Sequence, residues 1–208
     1  MLTPEQFFAF LAAAILITAS PGPDNLMVLG FGVSRGRRQG MVFGLGCALG
    51  CLSHTLLAAV GISGLIAASP MAFGALKVAG GLYLLWLGVQ ALRSRGGAQV
   101  GTVAGPALPL RALFAKGLLA NAINPKVVLF FLSFLPQFVI AEHGHVALQT
   151  VQLGLTFTLQ AAVLFGALGY FSGGIGQWLQ RRPGAPLWLD RIAGMIFIGL
   201  GLKLIAGR

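Results

Sequence analysis

Acidic residues are scarce in this chain. It has only four Asp and Glu residues against 14 Lys and Arg, and all charged residues together occupy 9% of its 208 positions. Hydrophobic residues occupy 57%, and the mean hydropathy is +0.88. A composition this apolar is typical of membrane proteins, because a water-soluble domain needs a more charged surface. The shortage of charge therefore argues against a soluble globular domain.

Other scarce or missing features argue against particular classes of protein. Two cysteines are too few for a disulfide-stabilised scaffold, and the absence of a Walker A sequence argues against ATP-driven transport by this chain alone. The net charge of +10 would suit a nucleic-acid binder only if the basic residues lined one soluble face, whereas here they are scattered between apolar segments. We therefore expect no nucleic-acid partner, no cofactor and no enzymatic activity.

Six apolar stretches are long enough, or nearly so, to cross a bilayer. They lie at about residues 7–33, 41–66, 75–92, 113–140, 147–171 and 187–205. A membrane-spanning helix needs roughly 20 apolar residues. The sequence thus predicts an all-α membrane protein with six transmembrane helices embedded in the lipid bilayer.

The distribution of Lys and Arg predicts the orientation of these spans. Basic residues cluster after the first, third and fifth stretches, and the loops after the second and fourth have none. Because basic loops stay in the cytoplasm, both termini are expected outside, although Lys203 and Arg208 oppose this mildly. The basic residues in the three loops are Arg35, Arg37, Arg38, Arg93, Arg95, Arg111, Lys116, Arg181, Arg182 and Arg191.

Proline interrupts two of the stretches beside an ionisable residue. Residues 20–25 (SPGPDN) interrupt the first stretch and residues 121–126 (NAINPK) interrupt the fourth. Proline does not continue a helix, and a broken helix in a bilayer needs protein or a water-filled cavity to satisfy its freed backbone groups. Ionisable residues within a membrane usually mark functional sites. Asp24 and Lys126 are therefore the predicted centre of the site.

An internal repeat connects the two interrupted stretches. Residues 77–84 (KVAGGLYL) and 191–198 (RIAGMIFI) share a pattern, although chance similarity between aliphatic helices remains an alternative. The predicted topology makes such a three-plus-three duplication inverted, and proline-broken spans at matching positions indicate a secondary transporter's binding site. We predict one transporter domain over residues 1–208, with repeat 1 at about 1–95, a flexible cytoplasmic loop at about 93–116 and repeat 2 at about 111–208.

These motifs resemble the lysine exporter / homoserine-threonine resistance family (LysE/RhtB). The resemblance lies in residues 21–25 (PGPDN), the Arg-rich turn with Gly36 and Gly40, the glycine-rich second span ending at His54, and residues 114–138 around NAINPK. It covers essentially the whole chain. It implies a bacterial inner-membrane exporter of small amino acids or close analogues, driven by the proton gradient, and it does not identify the amino acid.

The two charged residues suit the two ends of a zwitterion. Asp24 would bind the ammonium and Lys126 the carboxylate, which the amides of a half-helix N-terminus would also favour. Alternatively, Asp24 carries the coupling proton, or the two side chains form a structural ion pair. Four polar residues at the breaks either satisfy freed backbone groups or bind substrate: Ser20, Asn25, Asn121 and Asn124. Four residues would shape the helix openings: Pro21, Gly22, Pro23 and Pro125.

A rival interpretation comes from Cys47, Cys51 and His54, which share one helical face. Thiolate and imidazole are ligands of zinc and related ions, so a transition-metal exporter is one alternative. A membrane thiol oxidoreductase is a weaker one, because cysteines four residues apart in a helix are badly directed for a disulfide. The ligand set is incomplete, so we expect no metal site; His54 alone remains a candidate for the substrate cavity and for relaying protons.

Glycines in the second stretch predict close helix packing. Gly40 and Gly44, and likewise Gly46 and Gly50, are four residues apart. This spacing lets membrane helices approach closely, either within one chain or across a homodimer interface. The expected partners are therefore a small amino acid, protons and the lipid bilayer, with a second copy of the chain if the glycines act between chains.

Replacing both Cys47 and Cys51 by Ala separates the main interpretation from its rivals. We expect cells that express the double variant to keep their resistance to a toxic amino-acid load, because export does not need the thiols. The measurement is growth under amino-acid and metal stress. Loss of metal tolerance or of thiol oxidation, with no amino-acid phenotype in either protein, would contradict the exporter interpretation.

Overall fold

The computed structural model describes residues 2–94, 108–140, 143–182 and 184–206, and every regular element in these ranges is helical. An all-α protein is therefore confirmed for the described part of the chain. The predicted flexible cytoplasmic loop falls largely on residues 95–107, outside the described residues.

The described ranges contain α-helices that we number in chain order. They are α1 (Pro4–Ala19), α2 (Pro23–Arg35), α3 (Arg37–Ala68), α4 (Pro70–Arg93), α5 (Leu110–Ala122), α6 (Pro125–Leu129), α7 (Val146–Tyr170), α8 (Ser172–Arg181) and α9 (Ala185–Ala206). After α6 the chain continues through a π-helical turn (Phe130–Phe134) and a 3₁₀ turn (Leu135–Phe138).

Both predicted helix breaks are confirmed. The axes of α1 and α2 differ by 56°, and α5 differs by 49° from the helical segment Pro125–Phe138. Each new helix begins at a proline, whose missing amide hydrogen costs nothing in the first turn. The Asn124 side chain caps α6 by accepting a hydrogen bond from the Lys126 amide at 3.1 Å. The proline motifs therefore separate pairs of helices rather than kinking continuous ones.

Three helical segments are long and apolar enough to cross a membrane: Arg37–Gly61 in α3, Gly74–Arg93 in α4 and Val146–Tyr170, which is α7. The number rises to five if each bent pair is one span. Helix α9, which contains the predicted sixth span, is not among these candidates and carries Asp190, Arg191 and Lys203. The six-span inverted repeat therefore remains a prediction.

The outer faces of α3 and α7 are apolar. Leu56, Leu57 and Val60 on α3, and Leu159 and Val163 on α7, are each 64–72% exposed. Apolar side chains in such numbers on the outside of a protein are stable when lipid surrounds them. This surface, together with the candidate spans, identifies a membrane protein.

Helix α8 was not predicted. The sequence analysis placed a connection between residues 171 and 187, whereas residues 172–181 form a helix that packs on α2. Gly173, Gly174 and Gly176 lower its intrinsic helix propensity, so the sequence pattern indicated a loop. Gly176 allows close contact with α2, because a Cβ atom there would lie 2.7 Å from Cγ2 of Val33. Tertiary packing thus overrides local propensity.

The glycines of α3 bring neighbouring helices of the same chain close together. A Cβ atom on Gly44 would lie 3.0 Å from the Phe165 carbonyl of α7, and one on Gly50 would lie 2.8 Å from the Leu118 carbonyl of α5. Gly40 faces α2, and Gly46 faces the Phe114 carbonyl of α5. All four glycines therefore pack against other helices of the same chain, so they are not available to a homodimer interface.

Gly46→Ala tests this packing. The added methyl group would collide with the Phe114 carbonyl oxygen, a backbone atom that moves only with its helix. We expect a loss of roughly 1–3 kcal/mol of stability, as for other overpacked sites. The measurement is the thermal unfolding midpoint of the purified protein in detergent.

Gly166→Ala in α7 is the matched control, because nothing lies within 4 Å of the position that a Cβ atom would take there. We expect this variant to be as stable as the parent or slightly more stable, since alanine favours a helix over glycine. Equal destabilisation by both substitutions would contradict the packing at Gly46.

Candidate functional site

The two helix breaks meet around one buried cavity. Asp24, from the first break, and Lys126, from the second, both line it, although they are 102 positions apart in sequence. Their side chains are 4% and 9% exposed. The lining residues are Ile17, Thr18, Gly22, Asp24, Asn25, Asn121, Asn124, Lys126, Val127, Phe130, Phe157 and Phe165. The structure thus brings together the two charges that the sequence singled out.

Lys126 connects the second broken helix to the first. Its Nζ atom donates a hydrogen bond to the Ser20 carbonyl at 2.8 Å and lies 5.3 Å from the centre of the Phe197 ring. Gly22 makes room for the ammonium, because a Cβ atom there would be 3.2 Å from Nζ. The buried charge is therefore stabilised by a backbone carbonyl and an aromatic face.

Asp24 is held by an amide from the second break. Asn121 donates from Nδ2 to Oδ2 of Asp24 at 2.8 Å. Asp24 also lies in the first turn of α2, where a helix favours negative charge. In the described residues, the hydrogen bonds of Asp24 and Lys126 go to these partners and not to each other. The two charges thus face one cavity, and their described hydrogen bonds do not form the structural ion pair that was one of the alternatives.

Asn121 extends the network to α3. Its Oδ1 atom accepts a hydrogen bond from Sγ of Cys51 at 3.4 Å, and its backbone oxygen lies 3.1 Å from Nε2 of His54. Cys47, Cys51 and His54 are 0%, 0% and 4% exposed. They do share a helical face, but that face packs on α5.

The metal alternative gains no support from this arrangement. Within the described ranges, no three side chains of His, Cys, Asp or Glu lie close enough to hold a metal ion. Cys47 and Cys51 are free thiols, and Cys51 donates to the Cys47 carbonyl at 3.7 Å as well as to Asn121.

The remaining predicted polar residues satisfy the broken backbone. Asn25 donates from Nδ2 to the Thr18 carbonyl at 2.9 Å, and Ser20 donates from Oγ to the Leu16 carbonyl at 2.6 Å. Asn124 caps α6 as described above. These contacts fit the structural role that we predicted as one of two. Only Asn25 and Asn124 of these three also line the cavity.

A polar pair at the edge of the site was not predicted from the sequence. Gln160 of α7 donates from Nε2 to Oγ1 of Thr18, a lining residue, at 2.8 Å. In the described part of the chain, Oε1 of Gln160 is buried without a hydrogen-bond partner. Helix α7 contains three Gln residues and Gln160 belongs to no motif, so its polarity in the middle of the helix was the only available signal.

The cavity is closed in this conformation. Its volume, counted as room for the centres of water-sized molecules, is about 20 Å³. A single water molecule needs roughly 10–15 Å³ on this measure. An amino acid does not fit without movement of the surrounding helices, and the two breaks are places where such movement requires no loss of regular helix.

A closed cavity between broken helices, lined by two charged side chains inside a protein with an apolar exterior, is typical of a functional site in an integral membrane protein. The model of one protein family, the LysE type translocators, matches residues 15–208. The chain belongs to this family, as the resemblance in its motifs had indicated.

Curated relatives align with nearly the whole chain. A homoserine/homoserine lactone efflux protein of Salmonella typhimurium is 30% identical over 100% of this chain and 99% of its own length. A leucine efflux protein of Enterobacter sp. is 27% identical over 96% and 94%. An uncharacterized membrane protein of Vibrio cholerae is 30% identical over 97% of both chains. No solved structure matches this chain.

Asn121→Ala tests the central hydrogen bond. The substitution removes the only described donor to the buried Asp24 carboxylate, and we expect a loss of about 1.5–3 kcal/mol of stability, the range for hydrogen bonds to charged groups. The measurement is thermal unfolding in detergent. Ser53→Ala is the control, because Ser53 is exposed and donates only to the Gly50 carbonyl. An Asn121→Ala protein as stable as this control would contradict the network.

Proposed function

We propose that the chain is a secondary transporter of the bacterial inner membrane that exports a small amino acid or related zwitterion in exchange for protons. The observation that carries this proposal is the shared cavity of Asp24 and Lys126, built from two broken helices in a member of the LysE type translocator family. Two relatives named as efflux proteins for homoserine or its lactone and for leucine support the substrate class.

The charges of the cavity match a zwitterion. The Asp24 carboxylate would bind the substrate ammonium, and the Lys126 ammonium would bind the substrate carboxylate. Each side chain now makes a hydrogen bond that the substrate replaces: Asn121 donates to Asp24, and Lys126 donates to the Ser20 carbonyl. An empty site is therefore stabilised by the protein itself, which limits the cost of keeping two charges away from water.

Proton exchange would use the same carboxylate. When Asp24 binds a proton, it loses its attraction for the substrate ammonium, so substrate and proton compete for one group. Such competition couples substrate export to proton import. Either the substrate ammonium or a proton neutralises Asp24 before the site opens to the other side of the membrane. His54, which contacts the Asn121 backbone oxygen, is a candidate for relaying protons through water molecules once the cavity opens.

Export requires the closed cavity to open alternately to each side. We propose that an inverted repeat supplies the two openings, with basic loops in the cytoplasm and both termini outside. The packing of α3 on α7 and of α4 on α9 supports this, because each pair joins the helices that the repeat makes equivalent. Rocking one repeat against the other would bend the chain at residues 20–22 and 123–124, where the backbone is already irregular.

Asp24→Asn tests the proposal directly. The amide has nearly the same shape as the carboxylate but has no charge and does not bind or release a proton near neutral pH. We expect the variant to reach the membrane in normal amounts and to lose gradient-driven export by at least about tenfold, as expected when one member of a buried charge pair is removed. The measurement is release of amino acids from cells preloaded with mixed dipeptides.

Glu5→Gln is the matched control for Asp24→Asn. It removes the same charge from an exposed position in the first turn of α1, so export should stay at the parental rate. Parental export by the Asp24→Asn variant would remove Asp24 from the mechanism. Release of no amino acid by the parent protein would overturn the proposed substrate class.

A further inference from the structure

A second cavity lies beside the first break. Its volume is about 220 Å³, an order of magnitude larger than the closed cavity of Asp24 and Lys126. Its walls come from the first break, α2, the end of α7, α8 and the start of α9. Asn25 lines both cavities, so they meet at this side chain.

Asp190 is the one charged residue among the described residues that line this larger cavity. The chain has only four acidic residues, and Asp190 is 8% exposed. Its Oδ2 atom accepts a hydrogen bond from Oγ of Ser94 at 2.5 Å. A carboxylate has about four acceptor sites, so this neutral hydrogen bond leaves capacity for a cationic group.

The rest of the wall is apolar apart from Asn25. Its apolar lining residues include Leu29, Ile175, Trp178 and Leu189. One negative group in an aliphatic and aromatic wall suits a molecule with one ammonium and a compact apolar side chain. A fatty acyl chain would fit the wall but leave the buried carboxylate without a cationic partner, and an anion would be repelled.

We infer that this cavity is a loading site that binds an aliphatic amino acid before it enters the closed cavity of Asp24 and Lys126. Asp190 binds the ammonium of the amino acid, and Asn25 lies on the path between the two sites. The inference rests on the proposed export function. It places the loading site on the side of Arg181, Arg182 and Arg191, the predicted cytoplasmic side from which an exporter collects its substrate.

Equilibrium binding of radiolabelled leucine to the purified full-length protein tests the loading site. The test uses the Asp24→Asn variant, in which the closed cavity has lost its ammonium-binding carboxylate, so that leucine bound to this variant reports on the loading site. We expect this variant to bind leucine. Adding Asp190→Asn should weaken that binding by at least about tenfold, because it removes a charge-assisted hydrogen bond.

Two control substitutions separate binding from structure in the same background. Ser94→Ala removes the hydrogen bond to Asp190 but keeps the carboxylate, so leucine binding should persist. Asp190→Asn keeps an oxygen that accepts from Ser94, so its folding should be preserved, which thermal unfolding checks. Glu5→Gln removes an equal charge at an exposed position and should have no effect.

Two leucine analogues report which end of the ligand is bound. Leucinamide keeps the ammonium and the side chain and should displace leucine. The compound 4-methylpentanoate keeps the side chain and carboxylate but lacks the ammonium, so it should not. Displacement by 4-methylpentanoate as strong as by leucinamide would overturn the role of Asp190.

The outcomes distinguish this inference from the proposed function. Absence of leucine binding to the Asp24→Asn variant, or equal weakening by Ser94→Ala and Asp190→Asn, would overturn the loading site. The proposed function would still stand if the parent protein exported amino acids and Asp24→Asn did not. Leucine binding that depends on Asp190, in a protein that exports no amino acid, would support the site and overturn the proposed function.

Discussion

The rest of the structure depends on the hydrogen bond from Lys126 to the Ser20 carbonyl. A helix break inside a bilayer frees backbone groups that lipid does not satisfy, and this contact lets the second broken helix satisfy the first. Asn121, from the same break as Lys126, makes a second connection in the same direction by donating to Asp24. Broken helices and buried charges are each unfavourable in a bilayer, and here the hydrogen bonds between them stabilise both. This mutual dependence confines both charges to one cavity.

Proline motifs, charge and hydropathy were sufficient to predict the helix breaks and the all-helical membrane class, whereas the family was predicted from the resemblance of the motifs. They were sufficient because proline geometry and the cost of charge in lipid act locally along the chain. The partners of each charge were not predictable. Whether Asp24 contacts Lys126 or Asn121 depends on how α2 and α5 pack, and glycine contacts between helices set that packing.

Helix α8 and the positions of Gln160 and Asp190 were not predictable for a related reason, because no local sequence pattern marks them. Helix α8 contains three glycines in ten residues, and packing against α2 determines it. Gln160 and Asp190 belong to no recognisable sequence motif, and the groups beside them come from distant parts of the chain. Close glycine contacts within the bundle, such as Gly44 against Phe165, suit segments that move as rigid bodies. The irregular residues at the two breaks would then take up most of a change in shape.

The most direct test of the central claim compares leucine with leucinamide, which lacks the carboxylate, in proteoliposomes. The quantity is the ratio of their protein-dependent efflux rates for the parent and for Lys126→Gln, which removes the charge but keeps an N–H donor for the Ser20 carbonyl. If Lys126 binds the substrate carboxylate, the variant should lose leucine efflux and keep that of leucinamide, which changes the ratio by at least about tenfold. An unchanged ratio, whether both rates fall or neither does, would contradict a zwitterion held between the two broken helices.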